Sequence, residues 1–71
     1  MKGKTTFTRA EADDIKRLIS EKLEADKEEQ KQIRDNIRDI GFYFSDFYSR
    51  KDKYDVAAFD NLVSSGKIII I

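Results

Sequence analysis

Five of the eight aromatic residues of this chain fall within eight positions, Gly41-Phe42-Tyr43-Phe44-Ser45-Asp46-Phe47-Tyr48, directly after a long charged run. A chain of 71 residues makes one domain with one small core. A domain of that size buries only roughly 60% of the surface its unfolded form exposes. Aromatic side chains bring the most apolar area per residue, so they decide where such a core sits. Residues 1–71 are therefore expected to form a single small domain organised around this knot.

Small domains commonly add a disulfide, a metal or a partner subunit to stay folded. The chain has no cysteine and no histidine. Disulfides and thiolate metal sites are excluded, and the commonest zinc ligand and general base is missing. No cofactor and no metal is expected, and oligomerisation is the staple that remains. Fourteen basic and fourteen acidic residues cancel. A neutral total argues against a dedicated nucleic-acid or membrane-surface binder but leaves room for a local patch. No stretch is hydrophobic enough for a signal peptide or approaches the ~20 apolar residues of a membrane span. The expectation is a cytoplasmic protein with no membrane partner.

Thr8-Arg9-Ala10-Glu11 fits a capping box and starts a helix near Arg9. No Gly or Pro follows until Gly41. At ~100° per residue, Ala12, Ile15, Ile19 and Leu23 share a face, and Ile33, Ile37 and Ile40 fall on it in the same phase. One continuous helix over residues 9–40 is favoured. A break near Asp26, which can cap a second helix, is the alternative. Gly41 ends the helix in the left-handed conformation. Phe42 to Tyr48 reads as a strand, because aromatics favour a pleated, half-buried surface. Asp55 caps a short helix from Val56 to Ser65, Gly66 stops it, and Lys67-Ile68-Ile69-Ile70-Ile71 reads as a final strand. Its unbroken Ile run calls for cover on both faces. The expected partner is Phe42–Tyr48, with Thr5–Phe7 as a possible third strand. The fold class is thus α+β: a long N-terminal amphipathic helix followed by a strand–helix–strand unit with a small antiparallel sheet. Phe44 is expected to pack against Phe59, strand against helix.

Gly41, Phe42, Phe44 and Phe47 also match positions of the RNP1 signature of RNA-recognition domains. Ile40, Tyr43 and Ser45 depart from it, and the order of elements differs. The reading for these rings is a buried core.

Two surfaces bear on function. The apolar stripe of the long helix exceeds what 71 residues can cover. Ile15, Ile19 and Leu23 are expected in a homodimer seam, and the function expected is protein–protein interaction or self-association. The rival is a nucleic-acid-binding accessory protein. Lys27, Lys31, Arg34 and Arg38 lie within ~60° of one another in helical projection and form a basic ridge, extended by Arg50, Lys51 and Lys53. Glu24, Glu28, Asp35 and Asp39 run beside that ridge, offering pairs such as Glu28 with Lys31 and Asp35 with Arg38. The carboxylate pairs Asp13/Asp14, Asp35/Asp39 and Asp46/Asp52 are candidates for acid–base or magnesium chemistry, but none sits in a motif. No catalytic activity is expected.

Overall fold

The computed structural model describes residues 2–49 and 51–71. In chain order its elements are β1 (Thr6–Phe7), α1 (Arg9–Glu24), α2 (Lys27–Ile40), a 3₁₀ turn (Phe44–Asp46), α3 (Val56–Ser64) and β2 (Ile69–Ile70). The protein is mostly helical. The expected α+β arrangement with an antiparallel sheet and a strand–helix–strand unit is not what forms.

α1 begins at the capping box read from the sequence. Thr8 Oγ1 accepts from the Glu11 amide at 3.1 Å, and Glu11 Oε1 accepts from the Thr8 amide at 2.9 Å. The continuous helix over residues 9–40 is corrected at Ala25. Ala25 and Asp26 are both extended (ψ 156° and 178°), and Asp26 Oδ1 accepts from the Glu29 amide at 2.9 Å to start α2. Gln30 Nε2 donates to the Ala25 carbonyl at 3.0 Å and closes the turn. Length explains the break. An unbroken helix over residues 9–40 would run about 48 Å at 1.5 Å per residue, whereas the longest dimension of the molecule is 32 Å. Folding α2 back onto α1 lets the two isoleucine stripes bury each other, so the chain supplies its own partner helix.

Phase alone misplaced one residue of the stripe. The core face of α1 is Ala12, Ile15, Leu18 and Ile19, while Leu23 is 59% exposed. At ~100° per residue Leu23 has drifted ~80° from Ile15, and Lys22 sits within ~20° of it. The last turn of the buried face therefore ends in a cation.

Gly41 terminates α2 with φ 114°, in the left-handed position that its missing side chain permits. The aromatic knot then forms a tight turn, not the expected strand over Phe42–Tyr48. The Phe47 and Tyr48 amides both donate to the Phe44 carbonyl, at 3.1 and 3.0 Å. This turn suits clustered aromatics better than a strand, whose side chains alternate between faces. Curled, it gathers the rings on one side of the chain. Phe42 is fully buried at the centre. It meets Phe7, Phe47 and Phe59 at ring-centroid distances of 6.3, 6.1 and 5.2 Å. Phe42, not Phe44, packs against Phe59. Phe44 is only partly buried; it stacks on Tyr48 at 4.7 Å and meets Tyr54 at 4.0 Å with the rings tilted by 39°.

The isoleucine run pairs with β1, in parallel, in the register Thr6↔Ile69 and Phe7↔Ile70. The sheet thus holds two strands, with no contribution from the knot. Ile68 is buried, while Ile69 and Ile71 are 53% and 76% exposed, so the run is covered on one face only. Asp55 caps α3 through the Ala58 amide at 2.8 Å, and Phe59 and Leu62 enter the core from it.

The N-terminal segment is fastened to the end of α2. Lys4 N donates to the Gly41 carbonyl at 2.9 Å, and both oxygens of Asp46 accept from the Lys2 and Gly3 amides at 2.9 and 2.8 Å. These amides hold the Asp46 carboxyl below its usual range. A Cβ on Gly3 would collide with the Gly41 carbonyl oxygen and lie 2.9 Å from Tyr43 Cδ1. Gly3→Ala should therefore lift the segment and lower stability by about 1–3 kcal/mol. Chemical denaturation, with amide exchange at Lys4 as the local probe, reads this. Unchanged stability and protection would show that the segment does not dock this closely.

Candidate anion-binding cleft

The expected ridge on α2 divides in two. Lys27 and Lys31 stand exposed, whereas Arg34 and Arg38 line a cleft of about 330 Å³. α1 contributes Lys22 to that cleft, and the aromatic turn and the segment before α3 contribute Phe44, Tyr48 and Tyr54. Lys2, Ser45 and Ser49 complete the lining, and no carboxylate takes part in it. Among the described residues, Lys22, Arg34 and Arg38 have no carboxylate oxygen within 4.0 Å. The ion pairs that do form involve other cations, such as Lys4 with Glu11 and Lys16 with Asp60, each at 2.9 Å. The pairs Glu28 with Lys31 and Asp35 with Arg38 are not among them.

Each cleft residue is placed by local structure. Lys22 ends the buried face of α1, and its ammonium lies 4.6 Å from the centroid of the Tyr54 ring. Arg38, four residues beyond Arg34 on α2, lies 5.3 Å from the Tyr43 ring. Tyr54 precedes the cap of α3 and packs at a tilt against the Phe44 ring. Lys22 thus stands over a ring that lines the cleft and Arg38 over Tyr43 beside it, contacts that draw modest cation–π stabilisation.

The electrostatics follow. Burial, with the Arg34 guanidinium adding to it, holds the Lys22 ammonium below its usual range. Burial pushes the Tyr54 hydroxyl up to about 12, against the opposing pull of Arg38 and Arg34. Tyr54 therefore stays a neutral donor at physiological pH. The Tyr48 hydroxyl already donates to the Ala58 carbonyl at 3.2 Å, whereas that of Tyr54 makes no hydrogen bond among the described residues. An ammonium, two guanidiniums and a phenol, all donors, face a space with no acidic acceptor. Such a set suits an oxyanion, and planar guanidinium forks are shaped for carboxylate or phosphate oxygens.

The other sequence-derived residues lie apart. Lys51 and Lys53 are exposed, and Lys53 is 3.6 Å from Asp55. Arg50 lies outside the described residues. Ile15 and Ile19 are buried in the chain's own core, so with Leu23 on the surface the three share no exposed seam. Asp46 is taken up by backbone amides, and Asp52 accepts from the Ser49 amide at 2.7 Å, so these two do not face each other as a catalytic pair. A larger groove, about 660 Å³, lies between α1 and α2, but Glu21, Glu24 and Glu29 line it. Its Arg17 already reaches Asp14 and Glu21 at 3.6 and 3.5 Å. No helix among the described residues is long and apolar enough to cross a membrane.

Compared with protein-family models, curated proteins and solved structures, the chain matches none of them. The cleft must therefore be read from its own chemistry. Sequence reasoning found Arg34 and Arg38 and missed Lys22 and Tyr54. Lys22 did leave a signal, as a cation in the middle of an apolar stripe. Tyr54 left none, because its role depends on where the turn places Phe44.

Proposed function

We propose that this chain is a small, non-enzymatic binding protein whose cleft holds a phosphate-bearing ligand. The observation that carries this reading is the convergence of Lys22, Arg34 and Arg38 on one space without a carboxylate among the lining residues. Like charges held together cost free energy, and the Arg34 guanidinium disfavours the Lys22 ammonium directly. A bound dianion turns that repulsion into attraction. The lining supports binding over catalysis, because it offers hydrogen-bond donors and neither a carboxylate nor an imidazole to serve as a general base. Self-association loses its main motive, since α2 covers the stripe of α1 that a second chain was expected to cover.

The test is thermal unfolding in sodium phosphate against sodium chloride at matched ionic strength. A ligand at ten times its Kd should raise the melting temperature of a domain this size by roughly 5–10 °C. Arg34→Gln, at an exposed position, should not lower the melting temperature in chloride, since it relieves repulsion on Lys22, and should abolish the phosphate increment. Equal melting in both salts for the unsubstituted protein would overturn the reading.

A further inference from the structure

Resting on that reading, we propose that the cleft takes the terminal phosphomonoester of a nucleic-acid strand, with the phosphates that follow running over Lys31 and Lys27. Charge density points to an end. Lys2, Lys22, Arg34 and Arg38 line one space of about 330 Å³ instead of tracking along a surface. An internal phosphodiester carries one negative charge, whereas a terminal phosphate carries roughly −1.5 to −2 at neutral pH. The three cations Lys22, Arg34 and Arg38 and the Tyr54 donor match the more highly charged group, whose additional terminal oxygen accepts more bonds.

The geometry of α2 points to a strand. Lys31 and Lys27 continue the line of Arg38 and Arg34 away from the cleft, in steps of about 4.5–6 Å along the helix. Both are exposed, and neither is within 4.0 Å of a carboxylate among the described residues. Glu28, Asp35 and Asp39 are also exposed on α2. They weaken the field of the ridge beyond a screening length of about 8 Å. The ridge therefore holds a strand only once its end is anchored. That combination accounts for a neutral protein with a locally basic site, and it distinguishes an end-binder from a protein that coats nucleic acid.

The experiment is a fluorescence-anisotropy titration of the full chain at physiological salt. The probes are short single-stranded oligonucleotides of one sequence with a 5′-phosphate, a 3′-phosphate or only hydroxyl ends, each labelled away from the phosphate. One phosphorylated form should bind at least about tenfold tighter than the hydroxyl form. Arg34→Gln should erase that preference. The Lys27→Gln/Lys31→Gln double variant should weaken all three probes while keeping it. Circular dichroism confirms that each variant is folded, and Lys22→Gln replaces Arg34→Gln if the latter is not. Equal affinity for all three probes would overturn the end site while leaving phosphate binding intact. A mononucleotide that competes as well as the phosphorylated oligonucleotide would overturn the strand. No response to any oligonucleotide, together with no melting shift in phosphate, would overturn both proposals.

Discussion

Phe42→Ala should leave little folded protein. The side chain is fully buried and joins β1, the aromatic turn and α3 through Phe7, Phe47 and Phe59. Its ring meets Phe59 edge-on at 5.2 Å, one of the arrangements aromatic pairs prefer. Truncating a buried Phe typically costs about 3–5 kcal/mol, a large share of what a small domain has. Phe44→Ala removes a partly buried ring whose neighbours are Tyr48 and Tyr54, so it should cost less and leave a cooperative transition. Urea denaturation of the two variants side by side makes the comparison. A Phe42→Ala protein as stable as Phe44→Ala would show that the core is not centred on Phe42.

The second large effect is alkaline. The Tyr54 hydroxyl titrates near 10.0 when unfolded and is pushed up to about 12 in the folded chain. A group raised in this way contributes stability that is fully present below the unfolded value and is lost as pH climbs through the folded one. At 1.36 kcal/mol per pH unit, about 3 kcal/mol should disappear between roughly pH 10 and pH 12. Tyr54→Phe keeps the packing against Phe44 and removes the titration, so most of that loss should vanish. Lys22 acts with the opposite sign. Its pKa is lowered by burial and by Arg34, so its contribution to stability rises as pH climbs toward its unfolded value of 10.5. The two effects separate because the Lys22 effect lies below pH 10.5 and the Tyr54 effect extends above pH 10. Denaturation midpoints from pH 8 to pH 12 measure both. A midpoint that falls equally in Tyr54→Phe and in the unsubstituted chain would mean that another group governs alkaline unfolding.

Local chemistry was legible in the sequence wherever a feature acts within a few residues. Thr8 with Glu11, Gly41 and Asp55 set helix ends through contacts with their own neighbours, and the structure places those ends where the sequence puts them. Part of the core was legible too: Ala12, Ile15, Ile19 and Ile37 are buried as their phase suggests, whereas Leu18 was missed and Leu23 lies on the surface. What the sequence left open is which of them meet. Ile15 and Ile37 share a phase whether the chain runs straight or reverses. Only packing distinguishes the two, because a straight helix leaves both stripes in water and a hairpin buries them against each other. The same holds for the aromatic knot. Phe42, Tyr43, Phe44, Phe47 and Tyr48 have the composition of a strand, but the structure pairs the isoleucine run with Thr6–Phe7 and curls the knot under Phe59. Strand pairing is a long-range choice, and short-range propensity does not encode it.

The cleft belongs to that second kind. Arg34 and Arg38 announced themselves as part of a periodic ridge. Lys22 and Tyr54 lie 12 residues before and 20 residues after Arg34, and no motif links them. They meet because α2 folds back beside α1 and the turn after Gly41 brings Phe44 beneath Tyr54. The sequence by itself determined the start of α1, the end of α2, the start of α3, the inventory of apolar side chains and a pool of cations. The tertiary structure alone decided which cations line one cleft, because a field that holds an anion arises from charges that are close in space, whatever their separation along the chain.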